Sequence, residues 1–118
     1  MPEEAAQQLK SGLAGIKKSL IKNIIIAYEP VWAISTMPRS RPDTPENAFR
    51  AHIYIQKVIT GMFGREYGKK VRIIYGGSVN AKNIASFLTD GHMQGALVGG
   101  ASLNPEEVSD IIRIVSGV

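Results

Sequence analysis

Three short apolar runs, separated by stretches long enough to form helices, constrain the fold of this chain more than any other feature. The runs occupy residues 23–28, 71–75 and 96–98, and the first two are rich in β-branched residues. Such runs are typical of strands that are buried on both faces, as in a parallel sheet covered by helices. The first run, NIIIAY, is therefore predicted to be a strand of this kind.

Helical patterns precede the first run and follow it. Apolar residues at a spacing of three or four predict an amphipathic helix over residues 2–20. A hydroxyl N-cap, a proline and an acid at residues 44–46 predict the start of a second helix, which should extend to about residue 66. Four of its apolar residues are expected to face the core: Phe49, Ile53, Val58 and Met62.

Two more helices are predicted after the second and third runs. A short helix should cover residues 81–88, with Asn80 as its cap. A longer one should open at residues 104–107, where the sequence NPEE combines a cap, a proline and two acids. Its apolar residues are Val108, Ile111, Ile112 and Val115.

The resulting order of elements is α-β-α-β-α-β-α. Strict alternation of strands and helices implies parallel strands joined by right-handed crossovers. The predicted fold class is therefore α/β, with about three parallel strands and four main helices. A length of 118 residues suits one modest domain, so residues 1–118 are expected to form a single one.

All three predicted strands end in unusual residues: Glu29-Pro30, Gly76-Gly77-Ser78 and Gly99-Gly100. The carboxyl ends of parallel strands lie at one edge of a sheet, where β/α folds place their sites. Glycine lets the backbone approach an anion closely and direct several N–H groups at it. Either glycine pair alone is equally consistent with a tight turn that binds nothing, but the two pairs together favour an anion site.

Glu29 is either a solvated acid at a strand end or a general base. A base function would require that its pKa rise when a closing loop removes water. The long segment at residues 29–43 is suited to be such a lid, with Pro30 as a rigid hinge. Trp32 is more readily explained as a packing anchor of this loop than as a substrate contact.

Composition and charge argue against several other classes of protein. The net charge is +4, but the basic residues are scattered and not interleaved with aromatic ones, so no nucleic-acid partner is expected. No apolar run approaches the roughly 20 residues that span a bilayer, and the first residues do not resemble a signal peptide. The absence of cysteine fits a cytoplasmic protein. His52 and His92 are interpreted as ordinary positions, with no metal site and no nucleotide-binding motif.

Three motifs in order carry a resemblance to a known family: AYEPVWAI at residues 27–34, YGGSVN at 75–80 and LVGGASL at 97–103. Together they closely resemble the C-terminal half of triosephosphate isomerase, over nearly the whole chain. The resemblance implies a partial (β/α)8 TIM barrel that takes part in glycolysis and gluconeogenesis. The implied reaction is the interconversion of dihydroxyacetone phosphate and glyceraldehyde 3-phosphate without a cofactor.

The resemblance also implies residue roles. Glu29 resembles the base that moves a proton between two substrate carbons. The residues implied to surround the substrate and its phosphate are Ser35, Ser78, Leu97, Gly99 and Gly100. Among them, Leu97 is implied to desolvate the base. The hinge of the lid is implied to be formed by Pro30, Val31 and Trp32. Tyr75 and Ser78 are implied to hold the lid shut.

The chain departs from the family pattern in its lid and in its length. Ser35 and Met37 replace two lid glycines, and the loop is longer by about three residues as aligned by motif, so this lid departs from the family's usual one. A complete barrel takes about 250 residues. The family's substrate-polarising lysine and electrophilic histidine belong to the N-terminal half, and nothing in this chain matches them. The isolated chain is therefore predicted to be inactive, since enolate charge would develop unopposed.

These departures leave alternative functions open and imply binding partners for the chain. The chain could be a half-barrel that binds a phosphorylated triose, phosphate or sulfate without chemistry; a different phosphosugar barrel enzyme is disfavoured by AYEPVWAI. Open sheet edges and uncovered apolar faces predict self-association, or pairing with an N-terminal half. The side chains expected to face the barrel interior are among Ile24, Ile26, Ile73, Tyr75 and Leu97.

Overall fold

A computed structural model describes residues 2–30 and 43–118 of the chain. The strands are β1 (Ile25–Tyr28) and β2 (Arg72–Tyr75). Short 3₁₀ helices cover Lys18–Asn23 and Gly100–Leu103. The α-helices are α1 (Pro2–Gly12), α2 (Pro45–Phe63), α3 (Arg65–Lys70), α4 (Ile84–Thr89) and α5 (Pro105–Ser116). The candidate residues Val31, Trp32 and Ser35 lie outside the described residues.

The two strands pair in parallel, as the alternating order of elements predicts. Their register places Ile25 opposite Arg72 and Tyr28 opposite Tyr75. The third strand, predicted at residues 96–98, is wrong in extent, because only one parallel bridge forms, between Tyr75 and Ala96. The chain still runs beside β2, but the following glycines lead it into a 3₁₀ helix before a ladder can develop.

The first apolar run is only partly the strand that was predicted. It begins at Ile25, whose side chain is 53% exposed, and Ala27 is also exposed, so the strand is not buried on both faces. Tyr28, at its carboxyl end, is buried. The exposed residues Ile25 and Ala27 share one face of β1, so that face is uncovered, whereas the face with Ile26 and Tyr28 packs against the core.

The predicted helix over residues 2–20 ends at Gly12. Gly15 has a φ of +78°, in the left-handed region that glycine enters without strain, and it redirects the chain. Residues 18–23 then form a 3₁₀ helix that buries Ile21. Ile16 and Leu20, which were expected on the apolar face of one long helix, are exposed as a result.

Helix α2 begins as predicted but buries a different face. The Thr44 hydroxyl accepts a hydrogen bond from the Asn47 N–H at 3.1 Å, and Gly64, with a φ of +104°, ends the helix after Phe63. Of the four residues expected in the core, Ile53 is 50% exposed and the others are half-buried. The buried residues are Ala48, His52, Ile55 and Ile59. The placement of α1 and α3 against α2 decides this face.

Of the caps predicted for the last two helices, the one at Asn104 is confirmed, whereas Asn80 caps only the turn before α4, whose own N-cap is Asn83. The Asn80 Oδ1 accepts from the N–H groups of Lys82 and Asn83 at 2.8 and 3.0 Å, although the α-helix itself begins only at Ile84. The Asn104 Oδ1 accepts from the first turn of α5. On α5 the expected apolar face is only partly covered: Ile111 is buried, whereas Ile112 and Val115 are exposed.

The core lies between the sheet and the helices. Its largest fully buried side chains include Tyr75, Ile21, Ile59, Ile73 and Ile84. Tyr75 stacks on Phe87 of α4, with ring centroids 4.1 Å apart. Within the residues that the structure describes, no helix is long and apolar enough to cross a membrane.

The burial pattern of α2 generates a stability prediction. Ile59→Ala should lower the free energy of unfolding by about 2–5 kcal/mol, because it leaves a cavity in a fully buried position. Ile53→Ala, a matched change on the same helix, should alter it by no more than about 0.5 kcal/mol. Urea unfolding of both variants measures the difference. Equal losses would show that the described face of α2 is not the buried one.

Candidate active site

A cleft of about 300 Å³ lies where β2 and the bridged segment end. Residues 76–80 form its first wall and residues 99–101 its second, and we call it the glycine cleft. It brings together Ser78, Gly99 and Gly100, which lie far apart in the sequence and were predicted to form one phosphate site. Its position at the carboxyl end of the sheet is the usual place for a site in a β/α fold.

The first wall is held in shape by Asn83, which sequence reasoning missed. The Asn83 Nδ2 donates to the Ser78 carbonyl at 3.0 Å, and its Oδ1 accepts from the Asn80 N–H at 2.8 Å. The Asn80 Oδ1 in turn accepts from the Asn83 backbone N–H, so the side chain of each asparagine bonds the backbone of the other. Asparagine side chains often make such local turns, so two asparagines three residues apart were a signal that could have been used.

The second wall turns directly into a 3₁₀ helix. The Gly99 carbonyl accepts from the Ser102 N–H at 2.9 Å, which closes this turn. A Cβ placed on Gly99 would meet no atom within 4 Å, so the space beside this glycine is open. An open backbone of this kind is suited to the close approach of an anion.

Glu29 lies beside the first wall of the glycine cleft. It follows β1 directly, and the Gly76 N–H donates to the Tyr28 carbonyl at 2.7 Å, which aligns the two strand ends. A Cβ placed on Gly76 would lie 2.5 Å from the Glu29 Cγ and 3.1 Å from its Oε1. Position 76 therefore requires glycine for the acid to lie where it does. The Glu29 side chain is exposed, and Pro30 behind it is buried.

Glu29 and Pro30 also line a second cleft, of about 230 Å³, between β1 and α1. Helix α1 contributes Glu4 and Gln8 to this cleft. Glu29 therefore stands between two concave surfaces, and only the one at the glycine cleft contains residues that were predicted to bind phosphate.

Tyr75, predicted as a latch for the lid, has a partner that the sequence did not indicate. Its hydroxyl donates to the Asp43 Oδ2 at 3.1 Å, and Asp43 is the first described residue after the 31–42 segment. The Asp43 Oδ1 is also buried and has no hydrogen-bond partner among the described residues. The Tyr28 ring lies 6.3 Å from the Tyr75 ring.

The electrostatics of this group keep both tyrosines protonated. Burial, and then the charge of Asp43, raise the pKa of Tyr28 to about 12. Burial, the Asp43 charge and the hydrogen bond to Asp43 raise the pKa of Tyr75 well above its usual 10. At neutral pH Tyr75 is therefore a hydrogen-bond donor, and it attaches Asp43, which precedes the N-cap of α2, to the end of β2.

The remaining candidates lie apart from the glycine cleft. Leu97 is 47% exposed and does not line the cleft, so its expected contribution to desolvating Glu29 stays a prediction. His52 is buried in α2; burial, and then His92, lower its pKa. The His92 ring packs 4.5 Å from that of Phe49. Residues 2–30 and 43–118 contain no group of three or more His, Cys, Asp or Glu that could hold a metal.

A parallel sheet with helices between its strands and a glycine cleft at its carboxyl edge is typical of β/α proteins, which place their sites at that edge. A family model described as triosephosphate isomerase matches residues 2–115. The chain therefore belongs to the triosephosphate isomerase family, whose fold is the TIM barrel, and the described helices and parallel strands are consistent with part of such a barrel.

Curated relatives agree with this assignment. The chain is 45% identical over 111 residues to the triosephosphate isomerase of Dictyoglomus turgidum, an alignment that covers 94% of this chain and 43% of the relative. It is 43% identical over 108 residues to that of Thermus thermophilus, covering 92% of this chain and 42% of the relative. The chain thus spans about two fifths of the length of the curated relatives it matches.

The bond between Tyr75 and Asp43 can be tested by removing one hydroxyl. Tyr75→Phe should lower the free energy of unfolding by about 1–3 kcal/mol, because it leaves a partly buried carboxylate without its donor. Tyr67→Phe, which removes a hydroxyl from a half-buried tyrosine of α3, should change it by no more than about 0.5 kcal/mol. Chemical denaturation measures both. Two variants of equal stability would contradict the described bond.

Proposed function

We propose that this chain, as a single partial-barrel domain, supplies the general base and the phosphate-binding loops of a triosephosphate isomerase. The reaction is the interconversion of dihydroxyacetone phosphate and glyceraldehyde 3-phosphate. The observation that supports the proposal is the close approach of the Glu29 side chain to Gly76, a residue of the first wall of the glycine cleft. The family match supports the same reaction.

A triose phosphate fits this arrangement because it is short. With its phosphate in the glycine cleft, its carbons would reach the Glu29 carboxylate, which would take a proton from one carbon and return it to the next, while the hydroxyl proton moves from one substrate oxygen to the other through the proposed electrophile. The N–H groups of the glycine cleft walls would bind the phosphate, and the net charge of +4 favours an anionic substrate. No cofactor is needed for this proton transfer.

The chain alone is proposed to lack the electrophile. The lysine and histidine that the family resemblance implies match nothing in this sequence, and the chain covers only 43% of its Dictyoglomus turgidum relative. We propose that the portion of barrel outside this match supplies them. The unpaired edge of β1 is the place where a further strand of that portion would join the sheet.

Complementation tests this function. The chain should show no isomerase activity alone and should gain it when mixed with the portion of the Dictyoglomus turgidum enzyme that lies outside the match. Glu29→Gln should lower the restored activity by about 10²–10⁴-fold, the usual contribution of a general base. Glu46→Gln, an exposed acid at the start of α2, serves as the control. Full activity of the chain alone, or of the Glu29→Gln mixture, would refute the assignment.

A second candidate is a self-associating half-barrel that binds phosphate without chemistry. It is favoured by the uncovered apolar side chains, which include Leu103 at 88% exposure, and by the open edge of β1. Exposed apolar surface and unpaired edges promote association. The other large exposed apolar residues include Ile25, Ile112 and Val118.

Sedimentation measures this association. At micromolar concentration the purified chain should sediment as a species larger than a monomer, because a second copy would cover the edge of β1 and the apolar side chains. Addition of the complementing portion of a relative should dissociate this species if both compete for the same edge. A compact monomer at that concentration would rule out self-association.

A further inference from the structure

Glu107, in the helix that follows the second wall of the glycine cleft, bonds the backbone just beyond the first wall. Its Oε1 accepts a hydrogen bond from the Ala81 N–H at 2.7 Å, directly after the last residue of the first wall. Glu107 itself lies in the first turn of α5, which follows the second wall through the 3₁₀ helix Gly100–Leu103. The Glu107 side chain, which follows the second wall in the sequence, therefore holds the backbone of Ala81, which follows the first wall.

Both ends of this connection are fixed by further bonds. The Glu107 N–H donates to the Asn104 Oδ1 at 3.2 Å, which holds the start of α5. On the other side, Asn83 ties Asn80, the neighbour of Ala81, to the Ser78 carbonyl. The bond between Glu107 and Ala81 therefore joins two locally rigid segments, so it can set the distance between them.

Acidic residues are generally preferred in the first turn of a helix, but this preference does not explain why the Glu107 side chain bonds another segment. An acid in the first turn of a helix is stabilised by the helix dipole whether or not its side chain bonds another segment. Glu106, in the same turn, meets that preference with an exposed side chain, whereas Glu107 is half-buried against the turn at residues 81–83. Moreover, a carboxylate near a phosphate cleft repels the anion that the cleft is proposed to bind.

We propose that Glu107 is a positioning residue that holds the two walls of the glycine cleft at the spacing that phosphate binding needs. The inference rests on the proposed function, in which this cleft binds the phosphate of a triose phosphate. The repulsion from its charge is offset by a charge-assisted hydrogen bond to the Ala81 amide.

Removal of the Glu107 side chain has two opposite effects on phosphate affinity: loss of positioning should weaken binding, and loss of the negative charge should strengthen it. The two effects can therefore be told apart. Inorganic phosphate is titrated into the full chain, and its Kd is measured from the amide shifts of the glycine cleft residues. Glu107→Gln keeps an acceptor for Ala81 without the charge, so phosphate should bind equally or a few fold more tightly. Glu107→Ala loses the bond as well, so phosphate should bind about three- to tenfold more weakly despite the removed charge.

Two further variants complete the experiment. Glu106→Ala removes the same charge from the same turn and should bind phosphate at least as tightly as the wild type. Glu107→Asp keeps the charge but shortens the side chain, so it should weaken binding in the same way as Glu107→Ala. It also serves as the test if the alanine variant does not fold, as judged by circular dichroism.

The possible outcomes separate the inference from the proposed function. If Glu107→Ala and Glu107→Asp bind phosphate as tightly as their controls, the positioning role is refuted while phosphate binding stands. If the wild-type chain binds no phosphate, the proposed function of the cleft fails, and the inference fails with it. Weaker binding by Glu107→Ala together with rescue by Glu107→Gln supports both.

Discussion

The parallel pairing of Tyr28 with Tyr75 is the contact on which the rest of the candidate site depends. It fixes the ends of β1 and β2 side by side, and the Gly76 N–H then bonds the Tyr28 carbonyl. Consequently the residues that follow the two strands, Glu29 and Gly76, are in close approach. Because side chains alternate along a strand, a slip of one residue would turn every side chain of β1 to the other face and separate the acid from the cleft.

The same strand end also organises the surroundings of the site. Tyr75 is buried against Phe87 of α4 and bonds Asp43, so the start of α2 and the packing of α4 both depend on it. The glycine cleft begins one residue later, and just beyond its first wall the Ala81 N–H donates to Glu107 of α5. One buried aromatic residue thus connects the core to the segment from which the candidate site begins.

Features that depend on near neighbours in the sequence were predictable. The caps at Thr44 and Asn104 are confirmed, because a cap needs only residues within three positions. The grouping of Ser78 with both glycine pairs followed from the rule that parallel strands end at one edge. Asp43 and Glu107 were missed, because their bonds join residues 32 and 26 positions apart, and nothing in the local pattern marks such a pair.

The sequence by itself determined the first two strands and the helices on either side of them, the caps at Thr44 and Asn104, the residues at the strand ends and the family, since these depend on local chemistry and on short motifs. Only the tertiary structure decided which face of α2 is buried, that the helix from residue 2 stops at Gly12, and that the third strand is a single bridge. It alone also decided which side chains hold the cleft together. The physical reason is that burial and long-range hydrogen bonds depend on neighbours in space, which the chain acquires only when its elements pack.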